Sequence, residues 1–282
     1  MRRSRATLAP GWAIVTGAAS GIGAEVARRL TRRGHRVIAV DRESDAASQA
    51  AASLGPASIG VGCDLADAAA LEALCERVRA EWSDDLRIVV CNAGVIVPGE
   101  VSDIDGRVVD LHLDLMLRSP IHLVRAALPG FLERGAGHVL ATVSMGGIGP
   151  MPGSAAYSAA KFGLRAFLAA LNAEVKGRGI DVSGIYPSAV DTPMLREEAA
   201  SGGSALNFLG EVQSIDDVAD AYERALDSGK LELYVPYSDS LSARLLSTKL
   251  GWLPTVVPKL ERLGERGRTK YLATAEPHFD RP

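Results

Sequence analysis

Cysteine is scarce in this chain of 282 residues, which contains three. Cys63, Cys75 and Cys91 are odd in number and lack the spacing of metal ligands, so we expect neither a disulfide framework nor a metal site. The arginines that follow Met1 do not lead into the apolar segment of a secretory signal. Reduced cysteines and the lack of a signal together predict a cytoplasmic location.

An excess of one charge is also missing. The 31 Lys and Arg residues nearly balance the 34 Asp and Glu residues, which argues against nucleic acid as the main ligand. The long uncharged stretch at 135–160 contains glycines and prolines that would leave backbone groups unsatisfied in lipid, so we expect no membrane span. With 47% hydrophobic and 23% charged residues the composition is that of a globular protein, and the length suits one large domain.

Short apolar, β-branched runs alternate with segments of helical apolar spacing. Strands are predicted at 12–16, 36–40, 58–62, 87–91, 138–144, 181–186 and 231–235, and helices at 22–33, 68–82, 121–134, 157–176 and 215–228. This alternation indicates βαβ units. The predicted fold class is therefore α/β, a Rossmann-type doubly wound parallel sheet in three layers with a C-terminal helical extension. The predicted domains are a flexible tail at 1–10, the Rossmann-fold catalytic domain at 11–236 and an amphipathic extension at 237–282.

The first predicted strand leads into a glycine-rich loop, Gly17 to Gly23, and then a helix. Glycines allow a tight turn and a close approach to phosphate, and a helix N-terminus attracts negative charge. Asp41 follows the second strand at close to the ~20-residue spacing of the carboxylate that binds adenosine ribose hydroxyls. Asp41 favours NAD because it repels a 2′-phosphate, although Arg42 leaves NADP possible. The alternative is a glycine-rich turn beside a helix-capping aspartate.

A second set of residues carries acid–base chemistry. Tyr157 and Lys161 are four apart on a predicted helix and so share one face. A nearby cation favours the phenolate and could bring a phenol into working range at neutral pH. Ser144 is predicted to end the fifth strand, where ligands bind in open α/β sheets. The alternative is an exposed surface pair.

Motifs in matching order along the chain resemble those of the short-chain dehydrogenase/reductase family. They are the TGxxxGIG loop at Thr16–Gly23, Asp64, Asn92-Ala93-Gly94, Ser144, the YxxxK pair Tyr157 and Lys161, and the segment from Pro187 to Pro193. The resemblance implies hydride transfer between a nicotinamide and an alcohol or ketone. It implies Tyr157 as general acid/base, Lys161 as its electrostatic partner and ribose ligand, and Ser144 as hydrogen-bond partner of the substrate oxygen. It also suggests a homodimer or homotetramer.

The predicted cofactor-binding residues lie at the ends of successive strands. They are Gly17, Ser20, Gly21, Ile22, Gly23, Asp41, Arg42, Asp64, Leu65, Asn92, Ala93, Gly94, Tyr157, Lys161, Pro187, Val190 and Thr192. By resemblance, Asp64 contacts the adenine, while Val190 and Thr192 hold the carboxamide. Two other functions remain open on the same scaffold: a non-redox enzyme, such as an epimerase or dehydratase, and a cofactor-binding protein without turnover.

The sequence departs from the family pattern at two positions. Ser188 replaces a glycine after Pro187, and Met116 stands where the family has an asparagine that positions a proton-relaying water. Methionine cannot donate a hydrogen bond, so that relay is in doubt. His112, one turn earlier, is a possible substitute, but we expect an ordinary residue of the helix surface.

Beyond Thr192 the sequence predicts a substrate lid at 194–212, with a plain surface loop as the alternative. The extension at 237–282 mixes basic and apolar residues, so it could cover the substrate mouth, form a subunit interface or lie on an anionic membrane. We favour the first two, because Pro254 and Pro258 are expected to interrupt the amphipathic helix that membranes prefer. An apolar cover would suit a lipophilic substrate.

Overall fold

In the computed structural model, which describes residues 8–201 and 203–274, seven parallel strands form one sheet. They are β1 (Trp12–Thr16), β2 (Arg36–Asp41), β3 (Ile59–Gly62), β4 (Leu86–Cys91), β5 (Gly137–Thr142), β6 (Ile180–Pro187) and β7 (Glu232–Val235). Their order is β3-β2-β1-β4-β5-β6-β7. The order reverses between β1 and β4, and ligands bind beyond the strand ends at such a point. All seven strands were predicted. One detail was wrong: β5 ends at Thr142, and Ser144 lies in the turn that follows.

Helices cover both faces of the sheet. They are α1 (Gly21–Arg32), α2 (Ser44–Leu54), α3 (Ala68–Arg77), α4 (Gly106–Leu113), α5 (Ser119–Arg134), α6 (Ala155–Glu174), α7 (Pro193–Ala200), α8 (Ile215–Ser228), α9 (Tyr237–Ser247) and α10 (Leu253–Thr274). Wider, π-type turns at Val78–Trp82 and Asp114–Arg118 follow α3 and α4. Helix α2 was not predicted, because its alanine-rich sequence carries little apolar periodicity.

The core has two halves, one on each face of the sheet. Ile14 packs in one half with side chains of α3, α5 and α6, while its neighbours Ala13 and Val15 pack in the other half with α1 and α8. Successive residues of a strand point to opposite faces, so a sheet that is covered twice requires continuous apolar strands. The three-layer Rossmann-type architecture predicted from the sequence is confirmed.

The C-terminal helix α10 is continuous from Leu253 to Thr274, and Pro258 lies inside it. The expectation that Pro254 and Pro258 interrupt this helix is therefore wrong. Pro254 falls in the first turn, where a missing N–H costs nothing, and the helix runs on through Pro258. None of the helices in the described residues is long and apolar enough to cross a membrane. The predicted tail at 1–10 lies outside the described residues up to residue 7, as does the extension beyond 274.

Candidate active site

One cleft of about 450 Å³ opens beyond the carboxyl ends of the central strands. It brings together every predicted site residue except Gly23. The predicted residues that line it are Gly17, Ser20, Gly21, Ile22, Asp41, Arg42, Asp64, Leu65, Asn92, Ala93, Gly94, Ser144, Tyr157, Lys161, Pro187, Val190 and Thr192. The sequence therefore located the cleft, although the contributing residues come from segments far apart in the chain.

The glycine-rich loop between β1 and α1 depends on close backbone packing. Gly17 has φ +65°, a backbone conformation that residues other than glycine rarely adopt. A Cβ atom on Gly23 would lie 2.0 Å from the carbonyl oxygen of Gly17, which is far inside van der Waals contact. Gly23 packs against the loop and does not line the cleft. Its lack of a side chain lets the first turn of α1 pack against the loop, and that packing places the helix N-terminus at the cleft.

Asp41, at the end of β2, is fixed against the same loop. Its Oδ2 accepts a hydrogen bond from the backbone N–H of Ala19 at 3.0 Å, and its Oδ1 accepts one from that of Arg42 at 2.9 Å. The exposed guanidinium of Arg42 pairs with Glu43 at 3.0 Å. Three charged residues therefore meet at this end of the cleft, and two of them are acidic.

Asn92 holds neighbouring strand ends together. Its Nδ2 donates to the carbonyl oxygen of Thr16 at 3.1 Å, and its Oδ1 accepts from the hydroxyl of Thr142 at 2.7 Å. The Thr142 hydroxyl also bonds the buried hydroxyl of Tyr222 at 2.6 Å. The sequence did not reveal Thr142 or Tyr222 as supports of the cleft, because they lie at the end of β5 and in the middle of α8, outside any local motif.

Ser144 has a strained backbone, with φ 131° and ψ 157°. That region is occupied almost only by glycine, and strain of this kind is typical of functional sites. The Ser144 hydroxyl accepts a hydrogen bond from the N–H of Gly146 at 3.0 Å, and it also hydrogen-bonds Tyr157. The strained turn therefore aims the serine hydroxyl at the phenol.

Tyr157 and Lys161 lie on one face of α6, as predicted. Lys161 is 4% exposed, its Nζ donates to the carbonyl oxygen of Thr142 at 2.9 Å, and it lies 5.7 Å from the centre of the Tyr157 ring. Burial lowers the pKa of Lys161 to about 8, so it still carries a proton at neutral pH. Burial raises the pKa of Tyr157 to about 12, although the bond to Ser144 opposes this rise. The phenol is therefore protonated at neutral pH. The alternative of an exposed surface pair is wrong.

The family model for short chain dehydrogenases matches residues 11–202. The chain belongs to the short-chain dehydrogenase family. It is 33% identical over 233 residues to 1-deoxy-11-beta-hydroxypentalenate dehydrogenase of Streptomyces avermitilis, covering 80% of this chain and 85% of that one. The protein is thus an oxidoreductase that uses a nicotinamide cofactor.

Solved structures resemble this dehydrogenase closely. A short-chain dehydrogenase from Sphingobium yanoikuyae in complex with NADPH superposes with a TM-score of 0.75 at 27% identity, covering 88% of this chain and 96% of that one. A bulky-bulky ketone specific alcohol dehydrogenase from Comamonas testosteroni gives a TM-score of 0.72 at 25% identity, covering 89% and 96%. Each of these two matches covers more of the chain than residues 11–202, which the family model matches.

The surroundings of Met116 differ from expectation in this dehydrogenase. Met116 is 1% exposed, lines the cleft and lies against Gly94. His112 is fully buried, so the prediction of a surface histidine is wrong. Its Nδ1 bonds the carbonyl oxygen of Val108 at 2.7 Å and its Nε2 accepts from the N–H of Val97 at 3.2 Å. Both ring nitrogens serve the backbone, and burial lowers the pKa of His112. These contacts leave no ring nitrogen for a proton relay.

Part of the predicted lid is helical. Helix α7 and a 3-10 turn at Ala205–Phe208 form the helical part. The C-terminal half of α10 packs against that turn. The rings of Phe208 and Tyr271 lie 5.3 Å apart, and the Tyr271 hydroxyl donates to Asp191 at 2.6 Å. Asp191 belongs to the loop that carries Val190 and Thr192. The extension therefore packs on the lid and on this loop, and none of its described residues lines the cleft. Which of the three locations considered above it occupies stays a prediction.

Sequence reasoning missed a set of cleft residues from α4, α7 and several turns, which we call the lid side of the cleft. The apolar ones include Leu111, Leu115, Met151, Met194 and Leu195, and the polar ones are Glu198 and Asn207. They come from short helices and turns whose sequences carry no motif. The predicted lid after Thr192 pointed only to those that lie within it, which are Met194, Leu195, Glu198 and Asn207.

Proposed function

We propose that this dehydrogenase interconverts a secondary alcohol and a ketone by hydride transfer with NAD(H). The observation that carries the proposal is the joint placement of Ser144, Tyr157 and Lys161 in one cleft, with the serine strained toward the phenol and the lysine fixed by Thr142. Three groups that are held in this way match the needs of proton transfer to a carbonyl oxygen.

In the reduction, the Ser144 hydroxyl hydrogen-bonds the carbonyl oxygen of the ketone and the Tyr157 hydroxyl gives that oxygen its proton. The raised pKa of Tyr157 keeps the phenol protonated and ready to donate at neutral pH. Lys161 stabilises the negative charge that Tyr157 acquires on losing the proton. The nicotinamide cofactor, when bound, supplies the hydride in this direction and accepts it in the other. Alcohol oxidation needs the deprotonated phenol, so its rate should rise with pH.

The described residues fit a nicotinamide dinucleotide. The backbone of the loop at Gly17 and the N-terminus of α1 face the cleft, where pyrophosphate binds in such folds. Ser188 Oγ lines the cleft as a buried hydroxyl that has no hydrogen-bond partner among the described residues, so a bound group can use it. We assign the pyrophosphate to this loop, the adenine to Asp64 and the carboxamide to Val190 and Thr192.

The preference for NAD over NADP rests on the charges around Asp41. A 2′-phosphate would meet the carboxylates of Asp41 and Glu43, and Arg42 is already paired with Glu43. The two adjacent ribose hydroxyls would instead donate to Asp41, which accepts such bonds readily. The binding of NAD is therefore the simpler arrangement for these three side chains.

We assign the catalytic domain to residues 11–236, with the lid at 194–212 and the extension from 237 onward. The apolar lid-side residues support a substrate with a lipophilic body, and the alcohol dehydrogenase of similar fold is described as bulky-bulky ketone specific. A homodimer or homotetramer and a cytoplasmic location stay predictions. So does the absence of binding to nucleic acid or membranes.

The test is a screen of ketones and secondary alcohols with the purified protein, following NADH and NADPH absorbance. We expect a net change in NADH with at least one apolar ketone. Turnover without a net change in NADH would point to an epimerase or dehydratase instead. Cofactor binding without turnover across the panel would point to a protein that only binds the cofactor.

A further inference from the structure

Glu198 is a buried carboxyl group on the substrate side of the cleft. It lies on α7, is 5% exposed and lines the cleft together with Asn207. Its Oε1 accepts a hydrogen bond from Asn207 Nδ2 at 2.8 Å, and the backbone of Ser204 also bonds the carboxyl group. Within residues 8–201 and 203–274, no basic side chain forms an ion pair with it.

Such an arrangement is costly for the fold. A carboxylate that is removed from water without a cation destabilises the protein unless it is protonated or fully hydrogen-bonded. A carboxylate has about four acceptor sites, and the two internal donors leave part of that capacity unused. Burial accordingly raises the pKa of Glu198 to about 7. Costly polar groups in a cleft are candidates for ligand recognition.

Glu198 belongs to the same chamber as the reacting groups. Its charge contributes to the raised pKa of Tyr157, so the two groups interact across the cleft. The nearby walls are apolar, formed by side chains such as Leu111, Met151 and Leu195. Glu198 and Asn207 are therefore a polar spot on the otherwise apolar lid side.

We propose that Glu198 binds a hydroxyl group of the substrate, distinct from the carbonyl that is reduced, so that the preferred substrates are hydroxylated ketones and the corresponding diols with an apolar body. The inference rests on the proposed alcohol–ketone reaction and adds a second recognition point to it.

A hydroxyl group suits this position better than a charged group does. Near neutral pH Glu198 is partly protonated, and a hydroxyl can donate to the ionised form and accept from the neutral form. A cationic group would be attracted by the ionised form of Glu198 alone, and the neutral form would offer it no countercharge. An anionic group would be repelled by the ionised form of Glu198.

The test uses matched ketones that differ by one hydroxyl group: acetophenone against its meta- and para-hydroxy derivatives, and benzylacetone against para-hydroxybenzylacetone. The variants are Glu198→Leu, Glu198→Gln and the control Glu197→Leu, which changes an exposed glutamate on the same helix. For each, kcat/KM is measured with NADH, and the Kd of the ketone is measured by calorimetry in the presence of NAD+, which cannot reduce it.

In the wild type we expect the hydroxylated member of at least one pair to be preferred by about tenfold or more. Glu198→Leu should lower kcat/KM for that member by about tenfold to a hundredfold and leave its partner within about threefold. Glu198→Gln should retain most of the preference, because an amide also donates and accepts, and Glu197→Leu should change neither member.

A carboxyl group that only tethers the lid would behave differently. In that case Glu198→Leu would lower kcat/KM for both members of a pair equally, and the preference would stay, which overturns the inference. A wild type without any preference, in rate or in Kd, overturns it as well. If the wild type reduces none of these ketones, the proposed reaction fails for them, while the Kd values still decide whether Glu198 selects the hydroxyl group.

Discussion

The cofactor side of the cleft is built by backbone atoms, whereas the lid side is built by side chains. On the cofactor side, the loop at Gly17 packs against Gly23 without room for a methyl group, and Asp41 is held by backbone N–H groups. On the lid side, Glu198 bonds the side chain of Asn207, and apolar side chains form the walls. Backbone packing serves one constant ligand, while side chains can vary with the substrate. Changes on the cofactor side should therefore affect every substrate, and changes on the lid side should alter the choice among substrates.

The largest effect is expected at Tyr157, because the reaction of every substrate depends on it. Tyr157→Phe should lower kcat by about a thousandfold for every substrate, because the proton donor is lost. The Kd for NADH, measured by fluorescence, should stay within a few-fold, since the ring still packs. Tyr237→Phe changes a tyrosine that is 59% exposed and should leave both quantities unaltered. Substantial residual turnover in the Tyr157→Phe enzyme would remove Tyr157 from its assigned role.

Gly23→Ala tests the backbone packing of the cofactor side. A Cβ atom 2.0 Å from the Gly17 carbonyl must displace the loop, so the Kd for NADH should rise by about tenfold to a hundredfold. The control is Gly106→Ala, where a Cβ atom would meet nothing within 4 Å. Equal affinities for NADH in the two variants would contradict the importance of this contact.

The same contrast explains how much could be predicted from the sequence. Glycines and Asp41 carry the cofactor side, and their spacing relative to strands can be read along the chain. The positions of Ser144, Tyr157 and Lys161 could be predicted from their spacing in the same way. The strain at Ser144 and the burial of His112 depend on tertiary packing, so the sequence could not reveal them. Glu198 and Asn207 come together only because a turn folds back on α7, and no spacing rule predicts such a contact.

Glu198 should make the free energy of unfolding depend on pH. Its pKa is raised from 4.5 to about 7 in the folded protein, so the folded state binds this proton more tightly than the unfolded state. That contribution to stability is present at acid pH and is lost as pH rises from about 4.5 through 7. Glu198→Gln should therefore match the wild type in free energy of unfolding near pH 4 and exceed it by about 3 kcal/mol near pH 8. Denaturant titrations measure this, with Glu197→Gln as control; a difference that does not depend on pH would refute the assignment.

The cofactor preference is a smaller effect. The wild type should use NADH with a kcat/KM about tenfold above that for NADPH, because Asp41 and Glu43 oppose a 2′-phosphate. Asp41→Ser should narrow or reverse the preference, while Asp103→Ser, at an exposed aspartate outside the cleft, should not alter it. A wild-type preference for NADPH would show that Arg42 governs this end of the cleft.

The smallest effect is expected at Met116. Lys161 is positioned by Thr142 and not by Met116, so Met116→Asn should leave kcat/KM unchanged or raise it by up to about threefold. A gain of this size, with an unaltered Kd for NADH, would mean that an asparagine improves proton exchange at the lysine. A large loss of kcat would mean that the packing of Met116 against Gly94 shapes the cleft.

Hydride transfer itself is tested most directly by following an isotope. A ketone found in the screen is reduced with NADH that carries deuterium at the transferable position, and the product is analysed by mass spectrometry. The account predicts one deuterium on the carbinol carbon for each NADH oxidised, with the wild type, and none with Tyr157→Phe in the same time. A product that takes its hydrogen at that carbon from solvent, or that forms without net oxidation of NADH, would contradict it.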